Sequence, residues 1–254
     1  MLLAIDIGNS NVVLGLFDGA KLRESWRIGT KAQITSDEYA MIIKDLFSFS
    51  GIGFSDVDGI ILSTVVPPLL PVMAEMARKY FKRDPLVVTN DIKTGITLRY
   101  DNPREIGADR IVNAAAGFKL YGGPLIIIDF GTATTFCAIT GQGEYLGGAI
   151  VPGVKISAEA LYQRAAKLPR VELVKPGKVI GRDTVTAMQA GMIYGYAGLV
   201  DGIVRRMKQE LSESSTVIAT GGLAELIAPE AASINEVRPH LTLEGLQLLF
   251  EINR

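Results

Sequence analysis

Four stretches of this chain carry residue types that could act on a phosphate group. The first, "LLAIDIGNSNVVLGLFDG", ends an apolar run on Asp6, breaks into Gly8, Asn9, Ser10 and Asn11, and resumes as a second apolar run. Glycine lets phosphate oxygens approach the backbone, the N–H groups of the turn are donors, and a nearby carboxylate can hold a cation directly or through water. A plain hairpin explains the same turn residues. The second stretch, "LIIIDFGTATTFCAIT", repeats the pattern roughly half a chain later, with Asp129 after an apolar run and Gly131 and Thr132 behind it. The third, "TVIATGGLAELI", ends a strand in Thr220, Gly221 and Gly222, where a base or ribose could lie flat against backbone. The fourth, "YDNPREIGADR", puts Asp109 beside Arg110 at what reads as the first turn of a helix. There the helix dipole favours an ionised carboxylate, ready to accept a proton, and a guanidinium can pair with a substrate carboxylate. Adjacent helical residues point about 100° apart, so the two side chains can do different work. An Asp in a first helical turn is also a common cap.

Two similar scaffolds are needed to hold these stretches. "LLAIDIG", "VVLGLFDG" and "LRESWRIG" read as three strands of an antiparallel meander. A helix follows from about Ser36, capped by Thr35 or Ser36, with Tyr39, Ile42, Ile43, Leu46 and Phe47 on one face. "VDGIILSTVV" is a buried strand, Pro67 and Pro68 open a helix with a Val72, Met76 and Tyr80 stripe, and "PLVVT" is another strand. After a polar, proline-containing connection the order begins again: a helix near Gly107, then "PLIIIDFGT", "TTFCAIT" and "EYLGGAIVPG" as strands. Helices from about Ser157 and Thr184, the strand "TVIATGG", a helix at "LAELIAP" and a helix from about Thr242 complete it. The expected architecture is α/β, in two domains of residues 1–106 and 107–254 that share an interdomain cleft and move on a hinge.

Composition narrows the partners. A chain of 254 residues with 48% hydrophobic and 21% charged residues can bury a core in each half. A net charge of -1 offers no general attraction to nucleic acid or to anionic membranes, so small molecules are the expected partners. The single cysteine, Cys137, has no partner for an internal disulfide and lies in an apolar strand, which suits a reducing compartment. No basic segment followed by a cleavable apolar run opens the chain, and a cytoplasmic protein is expected. The uncharged "TVTAMQAGMIYGYAGLV" falls short of the roughly 20 apolar residues that span a bilayer and reads as a buried or interface helix.

Taken in order, the Asp turns and the glycine pair resemble the phosphate-one, phosphate-two and adenosine segments of the acetate and sugar kinase, heat-shock chaperone and actin superfamily. Its fold is a duplicated ribonuclease H-like domain, that of the actin-like ATPases. A closer resemblance, to the type III pantothenate kinases, runs through "DIGNSN", "STVVP", "YDNPREIGADR", "IDFGTATTF", "GGAIVPG", "DTVTAMQAG" and "TGG". It implies ATP-dependent phosphorylation of pantothenate in the first step of coenzyme A synthesis. The resemblance assigns ATP to Asp6, Ile7, Gly8, Asn9, Ser10, Asn11, Val12, Val13 and Thr132. It assigns pantothenate to Tyr100, Gly107, Ala108, Asp109, Arg110 and Thr184, with Asp109 as general base. It also implies a monovalent cation, potassium or ammonium, at Asp129, magnesium accompanying ATP, and a homodimer in which Thr184 reaches the partner's pantothenate site. In the chain alone, Thr184 equally reads as a helix cap.

Gly191, Gly195, Gly198 and Gly202 recur on one helical face. Each costs a helix interior roughly 1 kcal/mol relative to alanine, so a close backbone contact is expected, either within the chain or with a second copy. Two other features lead nowhere. "GQGEYLGG" lies between strands and opens no helix, so it is a turn and no dinucleotide site, and the lone His240 beside a proline supports neither a triad nor a histidine metal site. No P-loop is present, so ATP would bind through the Asp-Gly turns. The competing readings are a non-catalytic nucleotide-binding regulator on the same scaffold and a sugar or acetate kinase. Against the first stands Asp109 in its intact segment, and a helix-turn-helix with a basic face is missing.

Overall fold

The apolar run at the start of the chain forms β1 (Leu2–Ile7), buried at every position but Asp6. The computed structural model describes residues 1–31 and 33–254. These group into one compact unit of Met1–Gly95, Asn102–Ala116 and Thr242–Arg254, and another of Ile96–Asp101 and Gly117–Leu241.

In the first unit β2 (Asn11–Asp18) and β3 (Lys21–Gly29) complete the meander, and β4 (Gly59–Thr64) and β5 (Leu86–Val87) lie parallel on the other side of β1. The sheet order is β3-β2-β1-β4-β5. Helix α1 (Ser36–Phe49) is started by Thr35, whose hydroxyl accepts the Glu38 N–H at 3.2 Å while the Glu38 carboxylate accepts the Thr35 N–H at 2.9 Å. Its Tyr39, Ile43 and Phe47 pack with Met73 and Met76 of α2 (Leu69–Met76) against one face of the sheet. Trp26 of β3 joins this core, its ring 5.4 Å from that of Phe47. The opposite face is covered by Val112 and Ala115 of α3 (Ala108–Tyr121) and by a helix from the end of the chain, where Leu243, Leu246 and Leu249 meet Leu2, Ala4 and Phe17.

The second unit repeats the plan with β7 (Leu125–Phe130), β8 (Ala133–Ile139) and β9 (Glu144–Pro152) as meander and β10 (Thr216–Thr220) and β11 (Glu236–Val237) as parallel partners. Its order is β11-β10-β7-β8-β9, with the short β6 (Thr97–Leu98) added beside β9. The duplication extends to burial: β1 and β7 are both buried at their first four positions, half-buried at the Asp, and buried again at the last. Helix α4 (Val154–Arg164) begins directly after the extended Gly153, three residues before the expected Ser157. Helix α5 (Thr184–Glu210) covers the sheet with Ile193, Tyr196, Val200 and Val204. The four-residue α6 (Ala224–Ile227) follows the glycine pair, and α7 (Leu241–Asn253) is the helix that closes the first unit.

Three of the four glycines on the α5 stripe have open space beside them. Gly191, Gly195 and Gly198 are exposed, and no described atom lies within 4 Å of a Cβ added at any of them. Intrachain packing of this stripe, one of the two expected alternatives, is therefore ruled out for these three positions.

Candidate active site

In the first unit, the residues singled out from the sequence gather where β1 and β4 end. Asp6 is half-buried, in register with Val13 on one neighbour and Ser63 on the other. The turn behind it closes through the Gly8 N–H, which donates to Asn11 O at 2.9 Å, and leaves Asn9 and Ser10 exposed at its tip. Ile7 and Val12 send their side chains into the core, so only their backbone can face a ligand, while Val13 is half-buried. Thr30, just past β3, ties the turn down: its hydroxyl donates to Gly8 O at 2.6 Å and its N–H to Ser10 O at 3.1 Å.

The Val65 N–H donates to Ile7 O at 3.1 Å, which carries the β4 end alongside that of β1. A Cβ on Gly107 would meet Val65 Cγ1 at 3.4 Å and Asp109 Oδ1 at 2.5 Å, so glycine is required for the carboxylate to fold back over this position. Gly107 O accepts the Arg110 and Ile111 N–H groups and opens α3, and Ala108 begins it. The Asp109 Oδ1 accepts the N–H of the next residue, Arg110, at 2.8 Å. Although half-buried by surface area, its carboxyl is enclosed enough that desolvation raises its pKa above the usual aspartate range. The Arg110 N–H and guanidinium pull the other way without cancelling this. Arg110 is itself buried. An open cavity of about 480 Å³ adjoins this corner, lined by Thr64, Val65, Asn90, Arg104, Gly107 and Ala108 among others. Asn90 holds its lip by donating to Pro103 O at 2.7 Å.

In the second unit, the Asp129 turn and the glycine pair come together. Asp129 stands in register with Thr220, and Gly221 follows at φ +93° with Asp129 Oδ1 and Phe130 N where its Cβ would be, the latter at 2.6 Å. Gly131 lies against the same carboxylate. Thr132 O accepts the Gly153 N–H at 3.1 Å, and the carbonyls of Thr132 and Gly131 fill the place of a Gly153 side chain. A cavity of about 720 Å³ opens between α4 and residues 170–173, with Leu223 beside the glycine pair in its wall. Tyr100 rests on Gly147, whose added Cβ would lie 3.0 Å from the ring, and its centroid is 6.2 Å from that of Tyr145. Thr184 is exposed at the start of α5 and is not the cap. Asp183 takes that role by accepting the Thr186 N–H at 2.9 Å.

Among the described residues no cluster of three or more His, Cys, Asp or Glu could hold a metal by itself. Asp129 offers a different arrangement, one carboxylate among backbone groups, with glycine on both sides where side chains would crowd it. This donor set suits a weakly held hard cation. Thr30 and Asn90 had not been singled out from the sequence. Each acts on a carbonyl far from it in the chain, and no spacing signals that.

Two sheets of like order, each with an Asp-Gly turn at the end of its central strand, give the α/β fold of the actin-like ATPase class. Solved structures bear out the fold: a Baf family protein of Campylobacter jejuni is 18% identical with a TM-score of 0.60 (98% of this chain, 97% of that one). An inorganic polyphosphate/ATP-glucomannokinase of Arthrobacter sp. strain KM is 15% identical with a TM-score of 0.51 (100% and 99%). The family profile for type III pantothenate kinases matches residues 2–206, and a type III pantothenate kinase of Bacillus cytotoxicus is 57% identical over 253 residues, 100% of this chain and 97% of that protein. The chain belongs to the type III pantothenate kinase family.

Proposed function

We propose that this protein transfers the γ-phosphoryl group of ATP to the primary hydroxyl of pantothenate, giving 4'-phosphopantothenate and ADP in the first step of coenzyme A synthesis. The observation that carries the reading is the Asp109 carboxylate, folded over Gly107 beside an open cavity and raised in pKa by burial. The substrate hydroxyl oxygen attacks the γ-phosphorus, the bond from phosphorus to the β,γ-bridging oxygen breaks, and the hydroxyl proton passes to Asp109. A carboxylate with a raised pKa is a stronger proton acceptor than a solvated one. Positioning and charge neutralisation supply most of the acceleration in such transfers. Arg110 pairs with the pantothenate carboxylate, with Tyr100, the Gly107 amide, Ala108 and Thr184 as further contacts. The Asp6–Val13 segment and Thr132 hold the nucleotide phosphates.

Magnesium accompanies ATP. A monovalent cation, potassium or ammonium, would be held by Asp129 and would neutralise phosphate charge there. No described helix is long and apolar enough to cross a membrane, and we place the reaction in the cytoplasm. The exposed glycine face of α5 is where two copies meet. Support comes from the open space beside Gly191, Gly195 and Gly198 and from Val179, Ile180 and Val185, which are exposed just before it and at its start. Gly195→Leu should then yield monomers by sedimentation, with pantothenate affinity and turnover falling together. A folded, fully active dimer would refute this interface.

The test of the activity is direct. The purified protein is incubated with ATP, magnesium, potassium and pantothenate, and mass spectrometry looks for a product heavier by one phosphoryl group. ATP bound or hydrolysed without that product would overturn the proposal.

A further inference from the structure

Thr30 lies outside every segment that carries the family resemblance, yet it makes two hydrogen bonds to the first Asp turn. Its hydroxyl donates to Gly8 O at 2.6 Å and its N–H to Ser10 O at 3.1 Å. A trans peptide is planar, and its N–H points opposite to its C=O. Holding Gly8 O therefore sets the direction of the Asn9 N–H, and holding Ser10 O sets that of the Asn11 N–H. Both amides face away from the Thr30 side of the turn. Oriented backbone N–H groups of this kind are what a turn offers to phosphate oxygens.

Within the turn, the Gly8 N–H is committed to Asn11 O, and Asn9 and Ser10 are exposed at its tip. Thr30, by contrast, is half-buried and anchored at the end of a nine-residue strand. We propose that Thr30 is a positioning residue for nucleotide binding: its hydroxyl holds the Gly8–Asn9 peptide so that the turn's amides meet the phosphates already aligned. This rests on the reading of the Asp6–Val13 segment as the ATP phosphate site.

The experiment compares Thr30→Val, which keeps the branched shape and loses the hydroxyl, with Thr30→Ser, which keeps the hydroxyl, in the full chain. Steady-state kinetics, binding of the fluorescent analogue mant-ATP and melting temperature are measured for each. For the valine variant, the KM for ATP and the mant-ATP Kd should rise about tenfold, as expected for one misaligned hydrogen-bonding group. The KM for pantothenate should stay within about twofold, and the serine variant should return both nucleotide constants to within about twofold of the parent. Unchanged nucleotide constants in the valine variant would overturn the proposal. So would a serine variant as impaired as valine, or a loss in which both substrates' KM values and the melting temperature move together. If valine prevents folding, Thr30→Ala carries the same comparison. Asp6→Asn separates the levels. Nucleotide affinity lost there but kept in the valine variant refutes Thr30 alone, whereas affinity kept in both refutes the turn as the phosphate site.

Discussion

The two Asp turns descend from one plan and are held in place by opposite means. In the first unit the turn after Asp6 is tied to the end of β3 by a side chain, the Thr30 hydroxyl, together with the Thr30 N–H. In the second, the corresponding position past β9 is Gly153, and only its N–H bonds to the turn, at 3.1 Å, because the Gly131 and Thr132 carbonyls occupy the space a side chain would need. The parallel strands beside them diverge in the same way. Beyond β10 comes Gly221, with Asp129 pressed against its backbone, while beyond β4 comes Val65, which packs near Gly107. A duplicated scaffold has thus left one turn bare, held through backbone alone, and clothed the other in side chains, the Thr30 hydroxyl and Val65.

Removing the proposed general base of the clothed half, Asp109, should have the largest effect. Asp109→Asn keeps the size of the side chain and loses the proton acceptor, so kcat should fall by about 10²-fold or more with both KM values little changed. Near-normal turnover would place the base elsewhere. The bare half is tested next through Asp129→Ala. The parent should be faster in potassium or ammonium than in sodium at constant chloride, and the variant should lose both that dependence and most of its activity. Equal rates of the parent in the three salts would reject a monovalent site at Asp129.

A smaller effect probes the anchoring itself. Gly153→Ala forces a Cβ into backbone, and overpacking of this kind costs about 1–3 kcal/mol, or roughly 2–4 °C of melting temperature for each kcal/mol. Gly29→Ala, one residue before Thr30, meets nothing within 4 Å and should change stability by no more than about 0.5 kcal/mol. Equal melting temperatures for these two variants would erase the contrast between the turns. The smallest effect concerns pH. The folded-state pKa of Asp109 is raised, so its contribution to stability is present below its unfolded pKa and is lost as pH rises through the folded value. Asp109→Asn should therefore melt higher than the parent near neutral pH, with the gain shrinking as pH falls. The acid limb of the parent's kcat/KM should lie above the usual aspartate range. A variant that melts lower at every pH would contradict the burial of this carboxylate.

Much of this arrangement was legible in the chain. The repeated apolar runs ending in Asp6 and Asp129 marked β1 and β7, and their neighbours in sequence completed each meander, because period-two burial and turn residues are local signals. The two-residue strands β6 and β11 carried no such pattern. Nor does the apolar stripe of α7 say which sheet it covers, since Leu243 and Leu246 would suit either core. The cap of α5 fell to Asp183 through its reciprocal contacts with Thr186, one place before the expected Thr184. Gly107 and Gly153 are glycines for reasons that exist only in three dimensions, a carboxylate over one and two carbonyls over the other.

The sole tryptophan gives the molecule a built-in optical reporter. Trp26 is half-buried on β3, tilted against Phe47 in the core of the first unit, and the aromatic rings of the second unit's tyrosines and phenylalanines absorb at shorter wavelengths. Excitation at the red edge of the absorption band therefore selects the first unit's melting, while far-ultraviolet dichroism follows both. Because Trp26 shares its strand with the approach to Thr30, the emission colour also gives a label-free view of whether the first turn's supporting strand loosens before the rest of the chain.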